Sequence, residues 1–224
     1  MRHLLGREAI APSLIFLAAA IGVVAFASPA DKVLGDLVKV VYVHGAIIQV
    51  ALITFILSGV AAAGYLTAKR VALFEWSQAL ARTGLALWIP YVLTSIVTMV
   101  QAWGGIAWFE PRWVFALQIL IAAPLVQVAG GVMKNPRLTA LLNASLAVLI
   151  VFLSANARLI MHPPNPVGES NSAAIKTAYY VMLTLWALVA IQLARGLRGW
   201  SLLRKIVVQV RHKSLEGDKW QLPF

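Results

Sequence analysis

Residues 38–66 read VKVVYVHGAIIQVALITFILSGVAAAGYL, 29 residues of which only Lys39 is charged. A helix crossing the hydrocarbon of a bilayer needs about 20 mainly apolar residues. This stretch exceeds that length, so it either tilts or extends past the bilayer at one end. It is too long and too continuously apolar for a barrel strand, which alternates over about ten residues. Outward from it, five more apolar blocks follow the same texture, at roughly 10–28, 79–101, 112–133, 137–158 and 173–195. In lipid the backbone must satisfy its own hydrogen bonds, and within each block only a helix does so. The expected fold is all-α, a polytopic membrane protein of six transmembrane helices.

Composition agrees. Of 224 residues, 61% are hydrophobic and 12% are charged, about half the charged fraction of a soluble domain. There is no cysteine, which excludes disulfides, thiolate metal ligands, thiol redox chemistry and covalent CxxCH heme attachment. The net charge of +11 would suggest nucleic acid on a soluble protein. Here no basic stretch alternates with exposed aromatics, and membrane proteins gather Lys and Arg in cytoplasmic loops.

That bias orients the chain. One side holds Arg2, Arg7, Lys69, Arg70, Arg82, Lys134, Arg137 and the seven basic residues from Arg195 onward; the other holds Lys32, Lys39, Arg112, Arg158 and Lys176. Both termini are therefore expected in the cytoplasm, with the protein in the inner membrane. Arg2 and Arg7 precede an apolar run ending near Ala25-Phe26-Ala27, which resembles a signal-peptidase site; the block is read as a retained first helix. Residues 1–198 form the membrane domain. In 199–224, Leu203, Ile206, Val207 and Val210 recur at helical spacing among Arg204, Lys205, Arg211 and Lys213. This reads as a basic amphipathic cytoplasmic tail, an anchor to anionic lipid or a docking segment.

Chemistry concentrates on the opposite side. His3 and His212 fall in the basic termini. His44 lies near the outer end of the second block, and His162 in the outer loop between the fifth and sixth, in Arg158-Leu159-Ile160-Met161-His162-Pro163-Pro164. Two neutral imidazoles at matched depth suit the two faces of a six-coordinate heme b. Zinc is the competitor, but it wants three or four protein ligands, and only Glu110 and Glu169 could complete such a set. The loop Trp103-Gly104-Gly105-Ile106-Ala107-Trp108-Phe109-Glu110-Pro111-Arg112-Trp113 packs four aromatics into 11 residues. It reads either as an interfacial aromatic belt or as a platform for a porphyrin. Arg112 and Arg158 lie on the outer side against the usual bias, and either suits a heme propionate or a phospholipid headgroup.

These features together resemble the CcmC-type heme exporters of cytochrome c assembly. Tyr42-Val43-His44-Gly45-Ala46 looks like that family's Tyr-x-His segment. Trp103-Gly104 through Glu110-Pro111-Arg112 has the length and order of its tryptophan-rich outer loop, and His162-Pro163-Pro164 resembles its Leu-His-Gln-Pro segment. The similarity spans about 35 to 195. It implies six helices and non-covalent heme b between His44 and His162 as axial ligands. Trp103, Trp108, Phe109, Glu110 and Arg112 would line the heme edge, and the heme would be presented to a periplasmic chaperone. The loop departs from the family pattern at Ile106 and Ala107, where paired tryptophans stand, and at Phe109 and Glu110.

The expected function is thus a membrane heme-binding protein of cytochrome c biogenesis, working with lipid and with membrane-complex partners: a heme chaperone, transporter subunits or redox subunits. One alternative is a b-type cytochrome subunit passing electrons between quinone and an outer partner. Another is a heme-free transporter or structural subunit, against which the scarcity of intramembrane charge weighs. No paired carboxylate, Ser-His-Asp set or phosphate-binding glycine loop argues for catalysis, so cofactor binding and transfer are expected in place of an enzymatic step.

Overall fold

The computed structural model describes residues 7–157, 161, 167 and 170–198. After a 3-10 turn at Arg7–Ala9 come six helices: α1 (Ile10–Ala27), α2 (Leu37–Ala68), α3 (Val71–Trp103), α4 (Pro111–Met133), α5 (Pro136–Asn156) and α6 (Ala173–Leu197). All six are long and apolar enough to cross a membrane, and the chain is a multi-pass membrane protein. The tail beyond 198, with its amphipathic pattern, lies outside the described residues.

The helix ends follow local chemistry. Lys69 and Lys134 adopt left-handed conformations, φ 54° and 49°, and end α2 and α4 in two-residue turns. The Lys69 N–H donates to the Tyr65 carbonyl, closing the last turn. Asn135 caps α5 by accepting from the Arg137 and Leu138 N–H groups, and Pro136 occupies the first helical position, where a missing N–H costs nothing. Gly104, at φ 75°, ends α3, and its N–H donates to the Val100 carbonyl at 3.0 Å. Pro111 starts α4. The glycine and proline therefore split the aromatic run between two helix ends and a short loop.

One helix departs from its apolar block. α3 begins at Val71, eight residues before position 79. Glu75, Trp76 and Gln78 lower the hydropathy there, but each has a place in the bundle. The Arg198 Nε donates to Glu75 Oε2 at 3.4 Å, its guanidinium lies 4.6 Å from the Trp76 ring centroid, and Gln78 is buried.

α2 and α3 pair along their lengths and form the centre. α5 and α6 pack on α2, α4 on α5 and α3, and α1 on α6. Tyr42, Ile47 and Phe55 of α2, Leu87 and Trp88 of α3, Ile119 of α4, Ile150 of α5 and Met182 of α6 fill the core. Residues such as Phe16, Val60, Leu125 and Phe152 remain exposed on the outside, where lipid replaces water as the solvent. Glycines let helices approach: a Cβ at Gly59 would overlap Ala147 Cβ across α2 and α5, and one at Gly84 would come 2.9 Å from the Phe55 ring. Small residues at crossings are the usual means of close packing in membranes.

Candidate functional site

A cavity of about 470 Å³ opens among α2, α3, α4, α5 and α6, where α2, α4 and α6 begin and α3 and α5 end. Its volume falls in the roughly 300–1,000 Å³ range of small-ligand sites. His44 lies seven residues into α2 and lines it with Gly45 and Ile48. Tyr91, Ser95, Thr98 and Met99 contribute one face of α3, at i, i+4, i+7 and i+8, the spacing that aligns side chains along a helix. Arg112 and Trp113 come from the first turn of α4, Ser154 from the last turn of α5, and Tyr179 from α6.

His44 has a hydroxyl neighbour on α3. The Ser95 hydroxyl lies 2.8 Å from the Tyr91 carbonyl oxygen and 3.4 Å from His44 Nδ1. A hydroxyl has one proton to give, and the shorter contact takes it. Ser95 can then accept from His44 Nδ1 in the tautomer that carries its proton there. A histidine oriented by a hydrogen bond from its second nitrogen is the arrangement suited to metal ligation. The ring also lies 5.1 Å from the Tyr91 ring centroid, tilted by 31°, and Tyr91 is buried. The Tyr179 hydroxyl donates to the Gly45 carbonyl at 3.2 Å, next to His44. Gly45 permits this crossing, since a Cβ there would meet Tyr179 Cε2 at 3.3 Å.

The residues singled out in the sequence divide into three groups. His44 and Arg112 line the same cavity, with Arg112 exposed. Trp103, Trp108, Phe109 and Glu110 do not line it. Trp103 packs half-buried against the core at the end of α3. Trp108 and Phe109 are 65% and 68% exposed at the surface. Glu110 is fully buried, and its Oε2 accepts from the backbone N–H of Met161 at 3.1 Å, one residue before His162. His162 and Arg158 lie outside the described residues. Among the described residues, no cluster of three or more His, Asp or Glu is placed to hold a metal ion.

Tyr91, Ser95, Trp113 and Tyr179 are site residues that the sequence reading did not pick out. The signal for the first two was present as the helical period of Tyr91, Ser95, Thr98 and Met99, a polar stripe inside an apolar block. Trp113 stood in the aromatic loop but was not among the residues expected to line the heme edge, and Tyr179 carried no signal. No protein-family model matches the chain, and no curated protein matches it.

Proposed function

We propose that this protein is a heme-handling membrane protein of the cytochrome c assembly class. Heme b would be held non-covalently at the outer, periplasmic face of the inner membrane by His44 and His162, with Arg112 or Arg158 for its propionates, and would be presented to a partner. The single observation that carries this reading is His44 on the wall of a 470 Å³ cavity, with the Ser95 hydroxyl 3.4 Å from its Nδ1. The residues present fit the group. An apolar cavity with a ligating imidazole and an arginine matches a flat macrocycle with an iron and two carboxylates. Heme, when bound, supplies the redox-active iron. The chain's own residues orient the histidine, shield it among helices and present a cation.

The resemblance of the Tyr42–Ala46, Trp103–Arg112 and His162–Pro164 segments to the CcmC-type family supports the same reading. Orientation is supported by the gathering of Lys69, Arg70, Lys134 and Arg137 at the end opposite the cavity. Ile106 and Ala107, at the positions of the family's paired tryptophans, favour a second reading in which the heme is retained by a b-type cytochrome subunit.

An absorption spectrum of the purified protein tests the proposal, with His44→Ala and His162→Ala beside it. The expected result is a low-spin b-type spectrum that either substitution removes. A wild-type protein without heme, after expression with heme supplied, overturns both readings. Reduction of the bound heme by a quinol, against its transfer to an apo-chaperone, then separates retention from delivery.

A further inference from the structure

We infer that Trp113 is a ligand-binding residue: its indole N–H, with the Arg112 guanidinium beside it, receives a carboxylate of the molecule held in the His44 cavity. For the molecule's identity, and hence for the carboxylate being a propionate, the inference rests on the heme reading above.

Trp113 lines the cavity and is 5% exposed. Its Nε1 is buried and has no hydrogen-bond partner among the described residues. An indole nitrogen is only a donor, and a buried donor left unmade is costly. The same bundle satisfies a comparable group where there is nothing to bind: Trp88, fully buried one helix away, donates from Nε1 to the Ala116 carbonyl at 2.9 Å. Trp186 on α6 also has a buried, unpartnered Nε1, but it does not line the cavity. Of the two indoles with an unused donor, Trp113 is the one on the cavity wall.

The surroundings select a negative acceptor. Arg112 lines the cavity next to Trp113, and among the described residues no acidic one does. No carboxylate lies within ion-pair distance of Arg112 among the described residues. Both residues belong to the first turn of α4, a 23-residue helix whose N-cap, Glu110, makes no side-chain capping bond. Its carboxylate instead accepts from Met161. The positive end of the α4 dipole thus adds to the guanidinium. The edge-on packing of Trp108 against Trp113, with ring centroids 6.2 Å apart, holds the indole in place.

The test titrates hemin and hemin dimethyl ester, which lacks free carboxylates, into the full-length purified protein and its Trp113→Phe and Arg112→Gln variants. Phenylalanine keeps an aromatic ring against Trp108 and removes the N–H. Hemin affinity is expected to fall about tenfold or more in each variant, the range for a hydrogen bond to a charged group. Ester affinity and the low-spin spectrum are expected to stay unchanged. Trp113→Phe binding hemin as the wild type does, or losing both porphyrins equally, overturns the inference while leaving the heme reading intact. Wild-type protein binding neither porphyrin overturns the heme reading and the propionate assignment with it. If a variant does not fold, the wild type alone decides: hemin bound about tenfold or more tighter than its ester supports the inference, and equal binding overturns it.

Discussion

The two ends of this bundle are made from the same helices but use their polar groups in opposite ways. Toward the Lys69 and Lys134 turns, side chains find each other. Asn143 donates to Ser77 Oγ at 3.0 Å and accepts from Gln127 at 3.2 Å, and Ser58 donates to the Ser77 carbonyl at 2.8 Å. Gly59 meets Ala147 and Gly130 meets Thr139 with no room for a Cβ. Toward the cavity, bulky Tyr91, Phe115 and Tyr179 stand between the helices, and Trp113 keeps a donor in reserve. Small residues set the crossings at one end; at the other, where Gly45 approaches Tyr179, bulky side chains line a cavity.

Four substitutions break or sharpen that contrast. His44→Ala has the largest expected effect: heme affinity falls by more than about 100-fold, since losing a ligand exceeds the 10–100-fold cost of losing its orienting partner. Its unfolding midpoint in detergent stays near that of the wild type, and a bundle that unfolds without His44 would erase the distinction between the ends. Gly59→Val places new methyl groups against Ala147 and is expected to destabilise the fold by about 3 kcal/mol, the upper range of overpacking. Denaturant unfolding reads this, and a shift under about 1 kcal/mol would mean that the α2–α5 crossing is loose. Asn143→Leu removes two interhelical hydrogen bonds, one to Ser77 Oγ and one from the Gln127 amide, at an expected cost of about 1–2 kcal/mol with heme affinity preserved. Equal losses in stability and heme binding would show the ends to be one unit.

The smallest effect is at Asp31, in the loop between α1 and α2. The backbone N–H groups of Leu34 and Val33 donate to its Oδ1 at 3.0 and 2.8 Å and hold its carboxyl below the usual value of 3.8. The ionised form is therefore favoured by folding. Its contribution is present above the ordinary carboxylate range and is lost as pH falls through the lowered folded value. Asp31→Asn keeps an accepting oxygen but does not titrate. Melting midpoints of wild type and variant should therefore converge as pH drops from about 6 to 3, and parallel curves would remove Asp31 from the acid response.

Much of this architecture was legible in the amino-acid pattern because lipid imposes a simple rule. Every long apolar block became a helix, and the glycine and proline of the aromatic loop marked helix ends. The start of α3 was not legible, because Glu75 and Gln78 look like the edge of a membrane segment until α6 brings Arg198 alongside. At the site, His44 and Arg112 stood out by residue type and position. Ser95 did not, since its role depends on a histidine 51 positions away. Nor did Glu110 show its contact: a carboxylate in an aromatic loop suggests an edge to a ligand, whereas the fold turns it toward the backbone of Met161.

The Ser77–Asn143–Gln127 cluster and the Gly59–Ala147 contact tie α2, α3, α4 and α5 together at one place. Asn143 and Ala157 are separated by 14 residues along α5 and its end, a lever arm of about 21 Å at about 1.5 Å per residue. A rotation of α5 by about 5° about that place would move the cavity wall at Ala157 by about 2 Å. The width of the cavity is thus geometrically sensitive to packing at residues that do not line it.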